Sequence, residues 1–133
     1  VVAAGCDGFH RPVGFKAEHL AHGAFGAEDT VDLGVVGAAG QLFDVAVQAV
    51  EAAGLRPYRR HHCGHAIGSE VYERPIVAPG SEVELQPGMV FCVETPYYCL
   101  GWGGMMVEDA IQITADGNRR LTSLDRSLRV VPC

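Results

Sequence analysis

Two strand-like segments facing each other across a glycine-rich connection restrict the fold of this chain more than any other feature. Met89 to Glu94 is nearly all apolar, the pattern of a strand covered on both faces. Val107 to Thr114 alternates, with Val107, Asp109, Ile111 and Ile113 on one side and Glu108, Ala110, Gln112 and Thr114 on the other. Gly101-Trp102-Gly103-Gly104 joins them. An antiparallel hairpin centred near residue 101, bent at Thr95-Pro96, sets Glu94 opposite Glu108 with Cβ atoms roughly 4.5 to 5.5 Å apart. Two carboxylates that close, at the edge of an apolar core, repel each other unless a proton or a cation lies between them. A divalent cation is the economical answer.

Upstream, Leu42, Phe43, Ala46, Ala49, Val50 and Ala53 recur at helical spacing between Gln41 and Ala53, with Gly54 as a stop and Pro57 shortly after. His61 to Tyr72 is predicted as an extended segment. Pro75 to Gly80 is predicted as a loop, because two prolines and a glycine oppose ladder bonding. Gln86-Pro87-Gly88 and Asp116-Gly117 are turn signals. Residues 1 to 40 are rich in Gly and Ala, with Val1-Val2-Ala3-Ala4 and Val35-Val36 as their strand-like runs.

With 133 residues and no linker or repeat, the expectation is one domain. A net charge of -6 argues against a nucleic-acid partner, since phosphate binding depends on clustered positive charge. Arg59-Arg60 and Arg119-Arg120 are short pairs of the kind found on solvated faces. No run approaches the roughly 18 to 20 apolar residues of a membrane span, and no signal pattern opens the chain. The expectation is therefore a cytoplasmic protein with no membrane partner. Five cysteines, Cys6, Cys63, Cys92, Cys99 and Cys133, are an odd number without scaffold spacing, which predicts reduced thiols. Position 1 is Val and the first residues read as the inside of an element, so an N-terminally truncated or processed chain is expected.

His65, beside Gly64, offers a third ligand type. One imidazole with two carboxylates suits a Zn, Mn, Fe or Co site that leaves positions open for substrate. Taken singly, each residue has a plainer reading, Glu94 and Glu108 as solvated charges and His65 as a core histidine. His61, Cys63 and His65 would also share one face of a regular strand, an alternative N/S donor set that lacks a fourth ligand. Cys63 is more simply a small buried residue.

Gly64-His65-Ala66-Ile67-Gly68-Ser69-Glu70-Val71-Tyr72-Glu73, Leu85-Gln86-Pro87-Gly88-Met89-Val90-Phe91-Cys92-Val93-Glu94, Gly103-Gly104-Met105-Met106-Val107-Glu108-Asp109 and Thr114-Ala115-Asp116-Gly117 follow one another in order. Together they resemble the signatures of the pita-bread metallopeptidases, the family of methionine aminopeptidases, Xaa-Pro aminopeptidases, prolidases and creatinase. The resemblance implies an α+β fold, a strongly curved antiparallel sheet with helices on one face, with residues 1–133 as a single domain whose N-terminal half is reduced. It implies His65, Glu94 and Glu108 as metal ligands, Glu94 also as acid/base, and His61, four before His65, as a residue that contacts substrate and stabilises the developing oxyanion. Tyr72 stands where the family's second histidine assists substrate binding, and Met106 where an arginine is frequent.

The family's two aspartate ligands have no counterpart. Gly8-Phe9-His10-Arg11-Pro12 resembles the second aspartate motif and places Pro12 and Val1 at the two ligand positions. Two divalent cations against Glu94 and Glu108 alone would leave uncompensated charge in a low-dielectric site, which is costly; one cation, Mn, Zn, Co or Fe, balances them. The implied function is a metal-dependent peptidase resembling Xaa-Pro aminopeptidase and prolidase, single-metal and slow, cleaving N-terminal residues from small peptides. The alternative is a degenerate, non-catalytic domain that binds a peptide, a small molecule or a protein, with Trp102 as a candidate contact. A homodimer would cover exposed sheet edges.

Overall fold

The structure, a computed structural model, describes residues 2–4, 37–101, 103–124 and 129–131. Val1, Pro12, Cys6, Val35-Val36, Trp102 and Cys133 lie outside them. Val2–Ala4 forms β1 and pairs in parallel with Arg129–Val131, β9.

The helix α1 spans Ala39–Ala52. It starts two residues ahead of the apolar repeat because the Gln41 side chain reaches back, its Oε1 accepting from the Gly37 and Ala38 backbone N–H groups at 2.8 and 3.0 Å. These are donors that a helix start leaves without partners. Gly40 permits the first turn to lie against the 80–81 loop: its N–H donates to Ser81 O at 2.9 Å, and a Cβ there would stand 2.8 Å from that oxygen. At the other end the chain leaves the helix through Gly54 in the left-handed region, φ 104.

Five antiparallel strands form the central sheet in the order β3-β2-β4-β7-β8: Glu73–Ile76, Gly64–Ile67, Val90–Glu94, Glu108–Thr114 and Gly117–Arg120. The β4–β7 register is the one expected from the hairpin, with Glu94 opposite Glu108 and Val90 opposite Gln112. The connection forms a smaller ladder of its own, Tyr97–Cys99 (β5) with Gly103–Met105 (β6). Pairing stops at Glu94↔Glu108 and resumes three residues on at Tyr97↔Met105, so Thr95-Pro96 interrupts the hairpin without shifting it.

Three local expectations are corrected. The segment containing Pro75 is not all loop: Glu73–Ile76 is a strand, and it lies at the sheet edge, where a proline's missing N–H is tolerated. β4 is not covered on both faces; Phe91 and Val93 are buried while Val90, Cys92 and Glu94 are half-buried. Nor is His61 to Tyr72 extended throughout, because only Gly64–Ile67 is strand. Beyond it the chain turns, pinned by the Glu73 carboxylate accepting from the Glu70 N–H at 2.8 Å.

One face of the sheet carries the core. Leu42, Phe43, Ala46 and Val50 of α1 pack on Ala66, Phe91, Val93, Ile111 and Ile113. Burying each large apolar side chain contributes roughly 1.5–3 kcal/mol, so the α1–β4–β7 contact is the main source of stability. The opposite face presents the alternate residues of the same strands.

Candidate metal centre

Register alone gathers the donors. His65 pairs with Cys92 across β2–β4, Cys92 with Ala110 across β4–β7, and Glu94 with Glu108 at the end of that ladder. Alternation puts His65, Cys92, Glu94 and Glu108 on the face away from α1. Among the described residues, one ligand atom each from His65, Cys92 and Glu108 lies within 4.8 Å of the other two. Metal bonds of about 2.0–2.3 Å to N, O and S bring ligand atoms closer than this, a difference that side-chain rotation covers. The donor chemistry fits a divalent ion.

His65 is buried and doubly held. Its Nδ1 lies 3.0 Å from the Ala66 carbonyl oxygen, which can only accept, so Nδ1 carries the proton and Nε2 keeps a lone pair. The Tyr72 ring stacks on the imidazole with centroids 3.9 Å apart and planes at 29°. The turn after Ile67 is what folds Tyr72 back over His65.

Glu94 takes a different partner. Its Oε1 stands 3.3 Å from His62 Nε2, and the His62 and Tyr72 rings are nearly perpendicular, at 87° with centroids 6.3 Å apart. Glu108 is exposed, and one of its carboxylate oxygens lies within 4.8 Å of the Cys92 sulfur. Burial first, then the neighbouring Glu108 carboxylate and the negative charge of Glu94, push the Cys92 thiol up to about 11. His61 is exposed and outside the three-donor group.

The segment carrying the histidines is tied to the hairpin carrying Glu94. Tyr58 OH donates to Pro96 O at 2.9 Å, and the Arg60 guanidinium donates to the same carbonyl while lying over the Tyr58 and Tyr98 rings, 5.4 and 4.9 Å from their centroids. Burial raises the Tyr58 hydroxyl to about 12. Cys63 does not join His61 and His65 in a second donor set. Gly64, at φ 139, interrupts the alternation, and Cys63 packs inside the core, where burial raises its thiol to about 12.

The sequence singles out His65, Glu94 and Glu108 as candidates; the structure sets Cys92 beside His65 and Glu108, and His62 beside Glu94, two neighbours that the sequence reading did not name. The signal for Cys92 was available: it stands two residues before Glu94 in the same strand and therefore on the same face. His62 had no such signal, because its direction depends on the irregular backbone at Gly64.

An antiparallel sheet backed by a helix, with histidine and glutamate donors on adjacent strands of its open face, defines a partial pita-bread domain. Residues 27–115 match metallopeptidase family M24, and the chain belongs to that family. It is 38% identical over 94 residues to a Xaa-Pro dipeptidase of Lactobacillus delbrueckii subsp. lactis, a match covering 71% of this chain and 26% of the relative. The crystal structure of dipeptidase PepE from Mycobacterium ulcerans superposes with a TM-score of 0.69 at 31% identity, over 87% of this chain and 30% of that one. A prolidase from Pyrococcus horikoshii OT3 gives 0.62 at 36% identity, over 70% and 27%. The chain thus spans about a quarter of the length of the curated relatives it matches. No helix among the described residues is long and apolar enough to cross a membrane.

Proposed function

We propose that this chain binds one divalent cation through His65, Glu94 and Glu108 and, as a slow Xaa-Pro-dipeptidase-like metallopeptidase, cleaves N-terminal residues from small peptides. The observation that carries this reading is the convergence of the family's histidine and glutamate positions on the open face of the sheet. A cation held there, Mn, Zn, Co or Fe, would act as a Lewis acid on the scissile carbonyl. Glu94 moves the proton: its carboxylate borders the donor group and faces His62 Nε2 at 3.3 Å, so a proton accepted at Oε1 has a neighbouring base. Tyr72 forms an aromatic wall that fixes the His65 ring and offers its exposed side to substrate. His61, four residues before His65, stabilises negative charge on the substrate oxygen. One cation is the stoichiometry whose charge the carboxylates of Glu94 and Glu108 balance. A homodimer in the cytoplasm completes the proposal.

Tyr72, which stands where the resembled motif has a second histidine, favours a second reading, a non-catalytic domain that retains the fold and binds a peptide, a small molecule or a protein. Incubating metal-loaded protein with Xaa-Pro dipeptides and following release of free proline separates the two. Slow turnover that disappears in Glu94→Gln supports the peptidase. Dipeptide binding by calorimetry with no proline released favours the second reading.

A further inference from the structure

We propose that Cys92 is a direct metal ligand, and that with His65 and Glu108 it makes this a thiolate-containing site selective for a thiophilic divalent ion such as zinc over manganese. The inference rests on the reading that this face holds a metal; it puts Cys92 in the place of Glu94 among the three ligands of that reading and adds the ion class.

Three observations carry it. The compact donor group contains Cys92, not Glu94: the sulfur lies with a His65 nitrogen and a Glu108 oxygen, all within 4.8 Å. Cys92 is half-buried on the open face and paired across the ladder with His65, whereas Cys63 on the other side is an ordinary core residue. Glu94, freed from the group, has its own partner in His62. Charge closes as well. A thiolate and the Glu108 carboxylate together balance one divalent cation, leaving Glu94 to pair with His62 and to carry protons. On binding, the S–H bond breaks heterolytically, the proton passes to solvent and the sulfur keeps the electron pair it donates to the ion. One N, one S and one O ligand leave a four-coordinate ion a free position. A soft thiolate favours zinc or cobalt, while manganese prefers oxygen.

Cobalt(II) tests this without any assay of activity. Metal-free protein titrated with Co(II) should develop a near-ultraviolet sulfur-to-cobalt charge-transfer band that saturates at one equivalent, and a Cys99→Ser control should keep it. Cys92→Ser should bind Co(II) without that band, and its zinc affinity should fall at least about tenfold, since loss of even outer-shell partners costs that much, while manganese binding changes little. Zinc should also protect Cys92 of the unaltered protein from iodoacetamide, read by peptide mass spectrometry, which needs no variant to fold. Co(II) bound with visible d–d bands but no charge-transfer band, or a band that survives in Cys92→Ser, overturns the thiolate ligand and leaves the metal centre standing. No Co(II) binding at all overturns both.

Discussion

The two faces of the central sheet are built from the same strands and do opposite work. On β4, Phe91 and Val93 point into the α1-covered core while Cys92 and Glu94 point the other way. On β7, Ile111 and Ile113 are buried while Glu108 is exposed. Strand alternation thus separates stability from chemistry residue by residue. Substitution on one face should act on folding, and substitution on the other on ligand binding.

Four changes would break or sharpen that division, ordered by their effect on the fold. Phe91→Ala empties a fully buried position and should cost about 3–5 kcal/mol in urea unfolding. A loss below about 1 kcal/mol would mean that the core face is not what holds the sheet. His65→Ala, on the other face though buried, should abolish metal binding in equilibrium dialysis while lowering metal-free stability by only about 1–2 kcal/mol, the size of a lost buried contact.

Tyr58→Phe removes the hydrogen bond to Pro96 O and should cost about 1 kcal/mol at pH 8. The Tyr58 hydroxyl is raised from 10.0 to about 12, so the fold prefers the neutral phenol. Its contribution is complete below pH 10 and lost as pH rises toward 12. The stability gap between wild type and Tyr58→Phe should therefore narrow from pH 10 to 12 in parallel unfolding curves; a gap that widens would reverse the sign. Glu94→Gln keeps the shape of the half-buried side chain facing His62 and should change stability by less than about 0.5 kcal/mol. Its main effect should be on proline release, which acid–base loss lowers about 10²- to 10⁴-fold.

What was legible in the sequence divides along physical lines. The β4–β7 register was readable because it depends on local facts, an apolar run, an alternating run and a glycine-rich connection of fixed length. The helix was readable from its repeat, and its first two residues were not, because Gly40 and Gln41 act through a loop forty residues away and a backward-reaching side chain. Pro75 was misread because a proline says nothing about whether its strand lies at an edge. For the proposed site, the motifs single out His65, Glu94 and Glu108. Cys92 was hidden inside an apolar run, where a cysteine passes for a small hydrophobe until the register sets it between His65 and Glu108. The Tyr72 stack and the His62–Glu94 pair depend on the backbone break at Gly64 and the turn beyond Ile67, which no periodicity announces.

The central claim is a single-metal centre on the open face, and metal content per chain measures it most directly. Protein purified without chelator or affinity-tag metal, analysed by elemental mass spectrometry beside Glu108→Ala, should hold about one equivalent in the wild type and none in the variant. Two equivalents in the wild type would contradict the charge balance on which the account rests, and none would contradict the metal centre itself.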